Sequence, residues 1–239
     1  ACELKFQPLK DTTPAELTIT ASAVVDLETT LQPAMLEAGK TAKVSCLGSD
    51  TYGNPTPVTN TSMTVTPLTN ITIKGLTVSG TKTGLYKVAC RMGSGASAVS
   101  DSSPATLEII PSLPYRITLA ISPTQSYYKP EETISLDYKV YDKYNNFIWK
   151  PQVKVTTSPS QNVNTSGVPY AIAFLKDGIY TITVTVSEAT EAGKTVAASA
   201  TVKVDGMGPS VLISYPPRAA MITGSSKITG KGTVTDAVS

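Results

Sequence analysis

The sequence repeats itself. Asp50-Thr51-Tyr52-Gly53-Asn54 recurs 92 residues later as Asp142-Lys143-Tyr144-Asn145-Asn146. The preceding residues match as well, 40–46 against 132–138, and so do the following ones, 63–67 against 153–157. Further on, Gly84-Leu85-Tyr86-Lys87-Val88 answers to Gly178-Ile179-Tyr180-Thr181-Ile182 at a shift of 94. A period of about 93 residues is the size of one small sandwich domain, so the chain is expected to build two modules rather than one continuous core. Pro111-Ser112-Leu113-Pro114 falls between the copies, where two prolines limit strand pairing and stiffen a joint.

Within each copy the apolar residues alternate with polar ones. In Thr181-Ile182-Thr183-Val184-Thr185-Val186 the aliphatic residues share one face and the threonines the other. Leu17, Ile19 and Ala21 alternate with Thr18, Thr20 and Ser22; Val153, Val155 and Thr157 alternate with Lys154 and Thr156; residues 198–204 do the same. A period of two is that of a half-buried strand, and short runs ending in Pro, Gly, Asn or Asp predict an all-β, antiparallel sandwich. The 35 threonines and 24 serines, about a quarter of the chain, are then the solvent side of those strands. Only residues 34–38 carry a pattern suited to a helical turn. In the repeated motif, Asp caps its own turn, Gly or Asn tolerates positive φ, and Tyr is expected to pack on the sheet end. Asn145 for Gly53 and Phe147 for Pro55 predict a differently shaped hairpin in the second copy. Residues 207–239 hold two further strand patterns, too few to close a core.

The 239 residues include no histidine, which removes Ser-His-Asp and Cys-His nucleophiles and every His-ligated metal. A net charge of +2, with dispersed lysines, excludes a phosphate-binding stripe and hence nucleic acid as partner. The apolar runs are too short for a transmembrane helix. Asp50 and Asn54, or Asp142, Asn145 and Asn146, offer oxygen ligands for Ca²⁺, but without the carboxylate density of a strong site; turn capping is the expected role. Glu131-Glu132 and Asp26/Glu28 are ordinary exposed acids. No catalytic residue, cofactor or metal site is expected.

Asp50-Thr51-Tyr52-Gly53-Asn54-Pro55, with Val58 and the Thr/Val strand after it, resembles the immunoglobulin-like domains of bacterial invasin-type surface proteins. Gly84-Leu85-Tyr86 and Gly178-Ile179-Tyr180 resemble the tyrosine-bearing strand F entry of such sandwiches, and residues 209–236 the opening of another repeat. The resemblance implies tandem immunoglobulin-like β-sandwiches: a tether (1–13), two modules (14–111 and 112–206) and the incomplete start of a third (207–239). It places Cys46 in strand B and Cys90 in strand F, where such domains carry their inter-sheet disulfide; two reduced core thiols are the other reading. Ala1-Cys2 resembles the end of a lipoprotein signal, with an acylated Cys2 as the sole membrane attachment; an accidental free thiol is the alternative. Tyr127, Tyr128 and Trp149, in an aromatic-rich second module, are candidates for binding a protein or glycan, against a plain packing role. The expected function is an extracellular bacterial structural or adhesive protein: a stalk, a surface-binding segment, or a subunit that self-associates through sheet edges. The alternative is a non-catalytic accessory region of a larger secreted enzyme.

Overall fold

The computed structural model describes residues 16–166, 171–215 and 230–236. Contacts divide the chain into two compact units, one built on the first ten strands, the other on the later ones with the segments Glu37–Gly39 and Thr81–Thr83 counted to it. No α-helix occurs among the described residues.

The first unit contains β1 (Asp26–Gln32), β2 (Met35–Glu37), β3 (Thr41–Ser49), β4 (Pro55–Thr56), β5 (Thr61–Thr66), β6 (Ile71–Lys74), β7 (Thr77–Gly80), β8 (Gly84–Met92), β9 (Val99–Ser100) and β10 (Ala105–Ile110). One sheet runs β1-β3-β7-β6, with β4 beside β3; the facing sheet runs β2-β10-β8-β5, with β9 beside β8. Alternation supplies the core. Leu27, Val44, Val78, Tyr86, Val88, Leu107 and Ile109 point inward and are buried, while their neighbours along the strands face water. Each buried aliphatic side chain contributes roughly 1.5–3 kcal/mol. Cys46 on β3 and Cys90 on β8 are joined by a disulfide, Cα to Cα 5.8 Å, across the two sheets.

The second unit contains β11 (Pro114–Ser122), β12 (Thr133–Asp142), β13 (Phe147–Ile148), β14 (Val153–Ser158), β15 (Val163–Ser166), β16 (Ala171–Phe174), β17 (Gly178–Val186), β18 (Ala197–Val204), β19 (Ser210–Tyr215) and β20 (Lys231–Thr235). Its sheets run β11-β12-β16-β15, with β13 beside β12, and β14-β17-β18; β19 and β20 form a separate antiparallel pair. Here the core has no staple. Val184 is fully buried on β17 and Tyr138 packs against the cluster of Ile134, Val140, Ile172, Phe174, Ile182, Val202 and Val204. The Phe174 and Tyr180 rings lie 4.3 Å apart between centroids. Both strand F entries begin on a glycine at positive φ, +150° at Gly84 and +154° at Gly178, a conformation strained for any residue with a Cβ.

Four local expectations fail. Residues 34–38 are not helical: Met35–Glu37 is β2, held to β10 by Glu108 N–H to Ala34 O (2.8 Å) and Ala38 N–H to Ile110 O (2.9 Å). Available strand edges overrode weak helical propensity. Leu17 and Ile19 are in no strand and are 85% and 82% exposed, because alternation forms a strand only where a neighbouring edge accepts it. Tyr52 packs on no sheet end and is 85% exposed. The Asp142 turn does not differ in shape from the Asp50 turn, as its hydrogen bonds show below.

Candidate functional site

The two repeated aspartates organise the ends of their sandwiches. At the first, Asp50 Oδ1 accepts from Tyr52 N and Asn54 N, both at 2.9 Å, and Oδ2 accepts from Ser22 N at 3.0 Å; the Asn54 amide reaches both oxygens. At the second, Asp142 Oδ1 accepts from Tyr144 N (2.9 Å) and Asn146 N (2.8 Å), and Oδ2 from Ser112 N (3.0 Å), Ser112 Oγ (3.3 Å) and Asn146 Nδ2 (2.8 Å). Gly53 sits at φ +77° and Asn145 at +62°, so asparagine reproduces the glycine turn. Each carboxylate therefore ties the segment entering its sandwich (Ser22 or Ser112) to the turn that follows its own strand. The donors fix the ionisation. The Ser22 amide, then Asn54, hold Asp50 far below the usual carboxylate range. Burial pushes Asp142 up, but the hydrogen bonds from Asn146, Ser112 and Tyr144 outweigh it and the net shift is down. Carboxylate oxygens already filled by N–H groups are caps, not cation ligands. Among the described residues no group of three or more acidic, Cys or His side chains is placed to hold a metal.

A third buried aspartate was not legible as a motif. Asp101 Oδ2 accepts from Thr29 N (2.9 Å) and its Oδ1 from Ser103 N (2.7 Å), while Thr29 Oγ1 accepts from Cys90 N (2.8 Å). Burial raises its pKa, yet the Thr29 and Ser103 hydrogen bonds win and the carboxyl is held down. The chain Asp101–Thr29–Cys90 joins β1 of one sheet to β8 of the other and fills an edge N–H of β1 that would otherwise invite another strand. Thr29→Val keeps shape but orphans the buried Cys90 N–H. It should cost about 2 kcal/mol, read as a lower urea midpoint for the first unit. An unchanged midpoint would contradict this role.

The sequence-chosen aromatics separate. Tyr128 is buried: its hydroxyl donates to Pro123 O (2.7 Å) and accepts from Gln125 N (3.2 Å), and its backbone bridges Val204, so it offers no surface. Tyr127, its neighbour, points the other way, 46% exposed, with Lys203 Nζ 5.5 Å from its ring centroid. Trp149 follows β13 in the other sheet and is 75% exposed. It ends a row across three strands that sequence alone did not assemble. The Arg116 guanidinium lies 4.5 Å over Tyr141, Tyr141 meets Phe147 edge to face at 6.0 Å, and Phe147 meets Trp149 at 6.1 Å. The register pairs Arg116 with Tyr141 and Tyr141 with Phe147. That register, once known, is the signal that assembles the row. Cys2 and the tether lie outside the described residues.

The fold is that of solved bacterial surface proteins. The chain resembles the Escherichia coli adhesin FdeC at TM-score 0.52 and 15% identity, over 80% of this chain and 68% of that one. Both sandwiches are immunoglobulin-like. Yersinia pseudotuberculosis InvD is also similar, at TM-score 0.45 and 20% identity over 79% of this chain and 63% of that one. Neither a family model nor a curated protein sequence matches the chain.

Proposed function

We propose that this chain is an extracellular bacterial structural and adhesive protein, in which successive immunoglobulin-like modules act as a stalk presenting a binding surface. The observation that carries the reading is the adhesin fold shared with FdeC. The Cys46–Cys90 disulfide supports it, since such bonds persist in oxidising compartments outside the cytoplasm. In this reading residues 14–111 and 112–206 are the modules, β19 and β20 open a third, and Cys2 carries the lipid that ties residues 1–13 to the membrane. Trp149 and Tyr127 belong to the binding surface, which takes a protein or glycan, and uncovered strand edges serve self-association.

Displaying the chain on a non-adherent bacterium should raise attachment to host-cell or matrix-coated surfaces, or negative-stain images of native material should show an ordered assembly. Loss of both, or substrate turnover by the chain, would sink the reading. Mass spectrometry of the native N-terminus should find Cys2 acylated; an unmodified Cys2 removes the anchor and leaves the adhesive role standing.

A further inference from the structure

The chain carries a strand pattern without a sheet and a sheet edge without a strand. The pattern is that of residues 16–21. Leu17 and Ile19 alternate with Thr18 and Thr20 and lie open to water, and no backbone hydrogen bond joins this segment to another described residue. The next residue, Ser22, is fixed through its N–H to Asp50, so the segment leaves the first unit from an anchored point.

The edge is that of β14, which ends the sheet β14-β17-β18. Ser187 N–H donates to Gln152 O at 2.9 Å, and the register pairs Lys154 with Thr185 and Thr156 with Thr183. The even-numbered residues of β14 therefore turn their backbone groups to β17. Those of Val153, Val155 and Thr157 point away from the sheet and have no partner among the described residues. Val153 and Val155 are only half-buried against the core of the second unit. The remaining edges are blunted or already covered. β11 has a bulge between Pro114 and Arg116, and β2, β6 and β15 have only three or four residues. Asp101 takes the Thr29 N–H of β1, Tyr128 bridges Val204 of β18, and the core-facing Met63 and Val65 of β5 are already buried. β14, six residues in unbroken register, has none of these protections.

We propose that residues 16–21 of one copy add to the β14 edge of a second copy as an antiparallel strand. The chain itself selects this occupant, because the segment has the pattern that the edge requires. With Leu17 opposite Val155 and Ile19 opposite Val153, the outward backbone groups of β14 gain partners and two aliphatic side chains cover the half-buried valines. Thr18 then stands over Lys154 on the solvent face, and Glu16 is a diagonal neighbour of that lysine, the one charged residue of β14. A slip of one residue would turn Leu17 and Ile19 to water, so the pattern resists it. Each copy offers one donor segment and one acceptor edge, which makes the joint heterologous and repeats it in series. This deepens the reading of strand edges as sites of self-association, and it rests on that reading.

Light scattering behind size exclusion tests the joint on the full chain over a range of concentrations, with Cys2→Ser throughout so that thiol-linked dimers cannot form. The parent should give a concentration-dependent series of oligomers. Ile19→Lys, at an exposed position, should weaken association at least tenfold with melting unchanged. Val155→Pro removes an outward N–H and should do the same; Thr157→Pro serves if that substitution disturbs folding. An equimolar mixture of the donor-side and edge-side variants should form dimers and nothing longer, since one supplies the only working segment and the other the only working edge. A parent that stays monomeric, association indifferent to either substitution, or a mixture that forms no dimer or the whole series would each overturn the proposal. Ordered assemblies of native material that persist with both substitutions remove this joint and leave self-association standing. Series formation without attachment to host-cell surfaces keeps the joint and removes the adhesive role.

Discussion

Replacing Cys46 and Cys90 together with alanine should lower the stability of the first unit by about 4 kcal/mol and leave the second unit unchanged. The disulfide closes a segment with a sequence separation of 44, and tethering its ends removes conformations from the unfolded chain rather than adding contacts to the folded one. At that separation the chain-entropy relation gives about 4 kcal/mol. For a domain near 90 residues this moves the melting midpoint by on the order of 20 °C. Calorimetry of wild type with and without reductant should reproduce the shift. The sole tryptophan lies in the second unit and reports that unit alone, so its unfolding should not follow the change. A first-unit midpoint that moves by only a degree or two would mean that the reduced unfolded state is already compact. Equal movement of both transitions would mean that the units do not melt independently.

The sequence was most readable where one short-range rule decides the outcome. Ile182, Val184 and Val186 had to share a face in any strand, and all three are buried. The Asp50 and Asp142 turns follow from Asx chemistry, and the hydrogen bonds agree atom for atom. Reading failed where a distant edge decides. Residues 34–38 became β2 because β10 offered partners, and Leu17 and Ile19 stayed outside any strand despite equal alternation. Tyr127 and Tyr128 show a limit of a different kind. Adjacent residues in extended chain point to opposite sides, so one of the two had to turn inward, but which one depends on where the backbone meets Val204. Asp101 carries no local pattern at all. Its role exists only once β1 lies beside Cys90. Arg116, Tyr141 and Phe147 are scattered along the chain and are joined only by register.

The second unit has no covalent staple, and Asp142 does there part of what the disulfide does in the first. Asp142→Ala should destabilise it by about 3 kcal/mol at neutral pH, because four buried or half-buried nitrogen donors, from Ser112, Tyr144 and both amides of Asn146, lose one acceptor together. Asp142→Asn should not rescue it. A single amide oxygen keeps the Tyr144 and Asn146 backbone donors, but the new NH₂ group faces the Ser112 N–H and the Asn146 amide, donor against donor. The pH dependence follows from the depressed pKa of Asp142. A group with a folded pKa below its unfolded value contributes fully above the ordinary carboxylate range, near pH 4, and loses that contribution as pH falls toward the folded value. The gap between wild type and Asp142→Ala should therefore be widest near neutrality and narrow below about pH 4. Urea midpoints at pH 7 and pH 3, followed by Trp149 emission, measure it directly. A gap that stays constant with pH would show that the turn is held by its shape and not by the charge, and the four converging N–H donors would then need another explanation.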